Sequence, residues 1–306
     1  MQDLPDATPV LDRRDELGEG PAWDAANERL VWCDIHGRAI HELVRDGDGW
    51  APGATWQMPD LPGAVVPRRD GGLLAMVGHE FCVLRDDGTL EPFARLDLEG
   101  APTRFNDCKV DPRGRLLAGT MVLDLSQPAQ LFRLDPDGTV TALLDGIGLP
   151  NGLDWSPDGE TFYFTDTPTR GIDAFDYDLD TGTLSNRRRL ITIPEGVGAP
   201  DGMCVDDEGC LWTATIFSGT VRRYSPEGEL IGVVRTPAHQ VSSCTFGGPD
   251  GGELFITTIG EEIPRFLPRD LGVPEEQIDA SNANPANGML FSCRPGVTGP
   301  PARAFG

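Results

Sequence analysis

Oxygen-bearing side chains recur at one position of a repeated sequence pattern. Each stands five residues before the start of a turn, and the residues are Glu19, Asn106, Asn151 and Asp201. Carboxylate and carboxamide oxygens that converge on one point bind hard divalent cations. The pattern therefore predicts a divalent cation site made of these side chains. The alternative is that they satisfy backbone groups at strand ends or hold ordered water.

These positions are equivalent because the chain repeats one strand-turn-strand unit. In residues 151–166 a polar residue, a short apolar run, a Pro-Asp-Gly turn and an alternating aromatic segment follow one another. The unit recurs along the chain, and successive turns lie about 42–50 residues apart, which is the period of propeller blades. A second hairpin follows each unit, so that each repeat supplies four strands. The sequence therefore predicts an all-β fold, a six-bladed β-propeller with four antiparallel strands per blade.

The N-terminal segment is expected to close the ring of blades. The sixth repeat has little chain left after Gly296, whereas residues 8–13 precede the first repeat and have the pattern of a spare strand. Because an open sheet edge promotes aggregation, we expect this N-terminal strand to complete the last blade. No linker-like or low-complexity segment interrupts the pattern, so we expect residues 1–306 to form a single domain.

The predicted architecture places the cation site at one mouth of the central channel. The innermost strand of each blade lines the channel, and the oxygen-bearing residues stand at the start of that strand. The loops between the second and third strands of the blades open at the same mouth. The longest of these loops, residues 260–288, is a candidate lid, with an insertion or a subunit contact as the alternatives.

Composition argues against several classes of protein. The formal net charge is −24 at pH 7, and so acidic a surface repels phosphate backbones, which argues against a nucleic-acid partner. No apolar run approaches the roughly 20 residues of a membrane helix, and the N-terminus lacks the features of a signal peptide. The seven cysteines form no Cys-x-x-Cys pair and are odd in number, which argues against a disulfide framework or a zinc cluster. We therefore expect a cytoplasmic protein without a membrane partner, in an oligomeric state that the sequence leaves open.

Five motifs at these repeats resemble the SMP-30/gluconolactonase family, also called regucalcin-like proteins. They are residues 17–23 (LGEGPAW), 104–121 (RFNDCKVDPRGRLLAGTM), 151–156 (NGLDWS), 200–212 (PDGMCVDDEGCLW) and 243–248 (SCTFGG). The resemblance implies a six-bladed propeller with one divalent metal in its channel. It also implies hydrolysis of sugar lactones.

The resemblance also implies roles for individual residues. By position, the family's metal ligands correspond to Glu19, Asn151 and Asp201, and its acid/base corresponds to Asp201. Its substrate contacts correspond to Arg104 and Asn106. Some members carry a glutamate that binds sugar hydroxyls just after a Gly-Thr-Met motif. In this chain only Asp124 stands near that position, so Asp124 is the predicted substitute.

These roles suggest a mechanism with one open choice. The cation would polarise the lactone carbonyl, Arg104 and Asn106 would orient the substrate, and Asp201 would take a proton from the attacking water. A carboxylate that binds a cation has a lowered pKa and is a weak base. A hydroxide on the cation is therefore the competing nucleophile, and Asp107 is a second candidate base whose alternative role is that of a turn carboxylate.

Three functions are compatible with this set of residues. The first is a metal-dependent lactonase that opens a sugar lactone to the hydroxy acid. The second is a hydrolase of other esters or organophosphates at the same metal, and the third is a non-catalytic calcium-binding or scaffold propeller. Oxygen ligands with water accept calcium, zinc, manganese or magnesium, so the sequence predicts one divalent cation without naming it. The predicted partner is a small-molecule lactone.

Overall fold

Short strands joined by tight turns form six small sheets, each built from consecutive segments of the chain. The computed structural model describes residues 2–98, 103–264, 269 and 271–306. Two short strands come first, β1 (Gln2–Asp3) and β2 (Thr8–Pro9). Blade 1 then contains β3 (Gly18–Asp24), β4 (Arg29–Asp34), β5 (Ala39–Asp46) and β6 (Gly49–Gln57). Blade 2 contains β7 (Pro62–Pro67), β8 (Leu73–Val77), β9 (Glu80–Leu84) and β10 (Leu90–Arg95).

The remaining blades follow the same order from the innermost strand outward. Blade 3 contains β11 (Thr103–Val110), β12 (Leu116–Val122), β13 (Ala129–Leu134) and β14 (Val140–Ile147). Blade 4 contains β15 (Pro150–Trp155), β16 (Thr161–Asp166), β17 (Gly171–Tyr177) and β18 (Leu184–Thr192). Blade 5 contains β19 (Ala199–Val205), β20 (Leu211–Ile216), β21 (Thr220–Tyr224) and β22 (Leu230–Arg235). Blade 6 contains β23 (Val241–Gly247), β24 (Glu253–Thr258) and β25 (Phe291–Cys293). The predicted six-bladed β-propeller is confirmed.

The two ends of the chain close the ring on different blades. Strand β2 pairs with β25 in antiparallel register, with Thr8 opposite Ser292, so the N-terminal strand completes blade 6 as predicted. Strand β1 adds to blade 5 in parallel with β22, a fifth strand that the repeat pattern did not predict. Residues 299–306 cross the channel mouth opposite the inner-strand starts, where Phe305 N donates to Pro67 O at 2.9 Å.

In blades 3 and 5 the turn between the first and second strands is held by a carboxylate at its first position. Asp111 Oδ1 accepts the backbone N–H groups of Arg113 and Arg115, both at 2.8 Å, and its Oδ2 accepts Arg115 Nε at 2.6 Å. Asp206 makes the same turn and pairs with the buried Arg223. Such Asx turns reverse the chain within a few residues, so that the first and second strands of a blade lie side by side.

The described helices are short. A 3-10 helix covers Thr167–Thr169, and α1 covers Glu275–Asn282 within the long segment 260–288. The sequence predicted one or two helical turns over 266–280, and residues 266–268 and 270 of that range lie outside the described residues. No helix in the described part of the chain has the length and hydropathy needed to cross a membrane.

Candidate functional site

Each innermost strand carries an irregularity in its pairing at the residues that were predicted to form the site. The register of β3 shifts between Glu19 and Ala22, that of β15 between Asn151 and Leu153, and that of β19 between Pro200 and Met203. A β-bulge rotates the side chains of its strand relative to the regular alternation. The shifts therefore turn Glu19, Asn151 and Asp201 toward the channel.

Glycines allow the inner strands to approach one another beside these residues. A Cβ atom on Gly152 would lie 2.6 Å from Asp201 O, and one on Gly202 would lie 2.1 Å from Ser243 Oγ. Both contacts are too close for a side chain, so only glycine fits between neighbouring blades. The Asn-Gly and Asp-Gly pairs at these positions therefore serve close packing around the axis, and they lie inside strands rather than in turns.

One cavity of about 350 Å³ collects most of the predicted site residues. It opens at the mouth where the inner strands begin, and its lining includes Glu19, Arg104, Asn106, Asn151 and Asp201. The sixth inner strand carries Ser242 at the equivalent position, and that hydroxyl donates to Gly18 O at 2.6 Å.

A chain of hydrogen bonds orients the two asparagines. Arg104 Nη1 donates to Asn106 Oδ1 at 2.7 Å, and Asn106 Nδ2 donates to Asn151 Oδ1 at 2.7 Å. Asn151 Nδ2 donates to Thr167 Oγ1 at 2.8 Å, and the Thr167 hydroxyl donates to Pro200 O at 2.8 Å. The guanidinium can only donate and the carbonyl can only accept, so the ends of the chain determine both amide orientations.

The carboxylates of the cavity are poorly solvated and repel one another. Burial, followed by repulsion from Asp107, raises the pKa of Glu19 to about 8. Burial, followed by repulsion from Glu19, raises the pKa of Asp201 well above its usual range. Asp201 Oδ1 is buried without a hydrogen-bond partner among the described residues. Two carboxylates, of which Asp201 has an unsatisfied oxygen, and the carboxamide oxygen of Asn151 together suit a hard divalent cation, which would relieve the burial and the repulsion.

A second group of possible ligands, Asp15, Asp34 and His41, is already satisfied by the protein. Trp32 Nε1 donates to Asp15 Oδ2 at 2.7 Å. Asp34 Oδ1 accepts the backbone N–H of Leu17 at 3.0 Å. These bonds explain the buried carboxylates without an ion, so the cavity around Asp201 is the better cation site.

Arg104 and Asn106 differ in what they leave free for a ligand. Burial lowers the pKa of Arg104, and its Nε has no partner within the described residues. Asn106 Nδ2 donates to Pro150 O at 2.6 Å as well as to Asn151, so both amide hydrogens are used inside the protein. Asn106 therefore positions Asn151, and Arg104 is the stronger candidate for a substrate contact.

Two predicted residues lie away from the cavity. Asp124 is exposed, its Oδ1 accepts Ser126 N at 3.0 Å, and it is not among the described residues that line the cavity. Asp107 faces the narrow channel behind the site, where it accepts Cys108 N at 2.8 Å and burial raises its pKa to about 6. The structure therefore does not bring Asp124 to the other predicted substrate contacts.

A sequence-family model provides the decisive comparison. The model of the SMP-30/Gluconolactonase/LRE-like region matches residues 17–260 of this chain. The chain belongs to this family. Every SMP-30/gluconolactonase residue discussed above, from Glu19 to Asp201, falls inside the matched range, which agrees with the resemblance found in the sequence.

Individual relatives of the SMP-30/gluconolactonase family match most of the chain. A pentonolactonase from Haloferax volcanii is 40% identical over 253 residues, which are 83% of this chain and 85% of that protein. A regucalcin from Danio rerio is 39% identical over 257 residues, 81% of this chain and 85% of that protein. The crystal structure of a calcium-binding regucalcin from Agrobacterium tumefaciens has a TM-score of 0.86 and 29% identity, covering 99% of this chain and 98% of that one.

Several residues of the site were not predicted from the sequence. Thr167 connects Asn151 to Pro200 O in the hydrogen-bond chain, and His36 and Glu261 line the cavity with His36 Nδ1 and Glu261 Oε1 2.7 Å apart. All three lie in the loops between second and third strands, which were predicted to open at this mouth. The sequence therefore predicted which loops surround the cavity, but it did not predict which side chains of those loops line it.

Proposed function

We propose that this protein is a metal-dependent lactonase that opens a sugar lactone to its hydroxy acid. Membership of the family and the similarity to a protein named pentonolactonase support the lactonase class. The observation that carries the metal dependence is the buried Asp201 Oδ1, which has no hydrogen-bond partner in the part of the chain that the structure describes, in the cavity that Glu19 and Asn151 also line. Arg104 lines the same cavity and its Nε likewise has no partner among the described residues, which supports a substrate-binding role over a scaffold.

The protein supplies three oxygen ligands for the cation. Glu19, Asn151 and Asp201 would hold it, and Asn151 presents Oδ1 because its Nδ2 is committed to Thr167. When bound, the cation acts as a Lewis acid that polarises the lactone carbonyl. Calcium, zinc, manganese and magnesium all accept such ligands, and the choice among them stays a prediction.

Arg104 and Asp201 would bind the substrate and transfer the proton. Arg104 would hold substrate oxygens through its free N–H and would stabilise negative charge on the carbonyl oxygen as water attacks. Asp201 would accept the proton of that water, with Asp107 as the second candidate base. The bond between the carbonyl carbon and the ring oxygen then breaks, the ring oxygen takes the proton that Asp201 had accepted and becomes a hydroxyl group, and the new carboxylic acid ionises to a carboxylate.

The first test measures metal and activity together. We expect the purified protein to contain about one divalent cation and to release acid from aldonolactones. A chelator should abolish the release, and adding back the metal should restore it. No metal-dependent release from any lactone would exclude this function, and release only from other esters or organophosphates would favour the alternative hydrolase.

The second test asks what Asp201 does. The Asp201→Asn variant keeps an oxygen ligand but loses the base, so we expect activity to fall about 100-fold or more while bound metal is retained in part. Metal content and lactone turnover are measured on the same sample. Full activity with metal retained would rule out Asp201 as the base and would direct attention to Asp107.

A further inference from the structure

The outer half of the cavity has two chemically different walls. One wall, from the end of β12 in blade 3 and the loop after it, carries the apolar side chains Met121, Leu123 and Leu125. The other wall carries His36, Glu261 and Glu262. A ligand that fills the cavity therefore meets polar partners along one edge and hydrocarbon along the other.

Glu261 is held in place from several sides. Its Oε1 lies 2.7 Å from His36 Nδ1, and its backbone N–H donates to Glu16 O at 3.0 Å. Ile263 N donates to Asn282 Oδ1 at 3.2 Å, which ties the following residues to α1. The Glu261 carboxylate is 35% exposed and faces the cavity, so an oriented carboxylate remains accessible to a ligand.

Glu261 and Arg104 line the same cavity. The negative charge of Glu261 is among the groups that oppose the lowering of the Arg104 pKa by burial. A ligand in this cavity therefore has both the guanidinium and the carboxylate as polar partners. A charged acceptor there suits hydroxyl groups on the ring carbons that follow the carbonyl.

We propose that Glu261, oriented by His36, binds hydroxyl groups of the substrate, the role that the sequence had suggested for Asp124. The inference rests on the proposed lactonase function and specifies its substrate class. The substrate is a lactone with hydroxyl groups on one edge and C–H groups on the edge that faces Leu123 and Leu125. His36 is a positioning residue, because its contact is with Glu261.

The test compares two lactones with the same five-membered ring. A pentono-1,4-lactone carries hydroxyl groups, and γ-butyrolactone carries none. For Glu261→Ala, we expect the ratio of kcat/KM for the pentonolactone to that for γ-butyrolactone to fall about tenfold, mainly through KM, since one charged hydrogen bond is lost. The matched control is Glu276→Ala, which removes the same charge from an exposed position of α1 and should leave the ratio unchanged.

His36 is tested through the same ratio. His36→Ala should lower the ratio less than Glu261→Ala does, and His36→Asn, which keeps a donor, should restore most of it. An unchanged ratio in Glu261→Ala, or an equal loss in Glu276→Ala, overturns the inference.

Calorimetry separates this inference from the lactonase proposal. Binding of the pentonate product should weaken about tenfold in Glu261→Ala, whether or not the wild-type protein opens lactones. Weaker binding by the variant, together with no lactone opening by the wild-type protein, would support the hydroxyl site and exclude the lactonase. Equal pentonate binding by the wild-type protein and Glu261→Ala overturns the hydroxyl site.

Discussion

At the scale of residues, the site depends on groups that have only one hydrogen-bonding role. Arg104 can only donate and Pro200 O can only accept, and Asn106, Asn151 and Thr167 connect them. Reversing either amide would place two donors or two acceptors against each other. The chain therefore presents Asn151 Oδ1 in a constant orientation, which is what a ligand oxygen for a cation requires.

Thr167→Val tests this hydrogen-bond chain. The variant has nearly the same shape but leaves Pro200 O and Asn151 Nδ2 without a partner, so we expect about 1–3 kcal/mol less stability. We also expect the cation affinity to weaken about tenfold or more, because a group that orients a ligand is lost. Cation titration and thermal unfolding provide the two measurements.

Thr167→Ser is the matched control for that variant. It keeps the hydroxyl and should retain the affinity of the wild-type protein. If Thr167→Val binds the cation as tightly as Thr167→Ser does, Thr167 has no part in orienting Asn151.

At the scale of elements, the inner strands combine a bulge with a glycine at the site. The bulge turns Asp201 toward the channel, and Gly202 lets β19 lie against β23. Neither feature alone would bring ligands from different blades into one cavity. The strand geometry thus explains why glycine follows Asn151 and Asp201, whereas Gly20, which follows Glu19, has a positive φ of 55° that favours glycine.

Gly202→Ala tests the close approach of the blades. A methyl group would lie 2.1 Å from Ser243 Oγ, and relieving that clash must move one inner strand. We expect a loss of about 3 kcal/mol, which corresponds to roughly 5 °C in Tm for a protein of this size.

Gly49→Ala is the control for the strand contact. Its new Cβ would have only one neighbour within 4 Å, Asp46 O at 3.6 Å, so we expect Tm to change by about 1 °C or less. Similar Tm values for the two variants would show that the blades tolerate a side chain at residue 202.

At the scale of the whole molecule, charge is the dominant long-range property. Acidic residues number 49 against 25 basic ones, which leaves a net charge of −24. Self-repulsion of so many like charges destabilises a compact ring, and salt screens it. We therefore expect Tm to rise as NaCl increases from 0.02 to 0.5 M, with most of the rise below about 0.2 M.

The same measurement near pH 4.4 is the control, because that is the pI of the sequence. With the net charge close to zero, the rise with salt should largely disappear. A Tm at pH 7 that stays flat or falls with salt would show that local ion pairs outweigh the net repulsion.

The predicted fold and the location of the site both came from one repeat. Equivalent residues of a repeat occupy equivalent places around a ring, so the sequence predicts Glu19, Asn151 and Asp201 at one mouth of the central channel. The parallel strand β1 was not predicted, because it is a fifth strand on blade 5 and the repeat pattern supplies only four strands to a blade.

The sequence by itself determined the propeller, its closure by a strand within residues 8–13 and the family, since these follow from periodic patterns and motifs. The tertiary structure alone decided that Asp124 faces solvent and that Glu261 faces the cavity beside His36. It also decided that both amide hydrogens of Asn106 are used within the protein. The physical reason is that these side chains take their directions from long-range contacts between loops and blades, which have no period in the sequence.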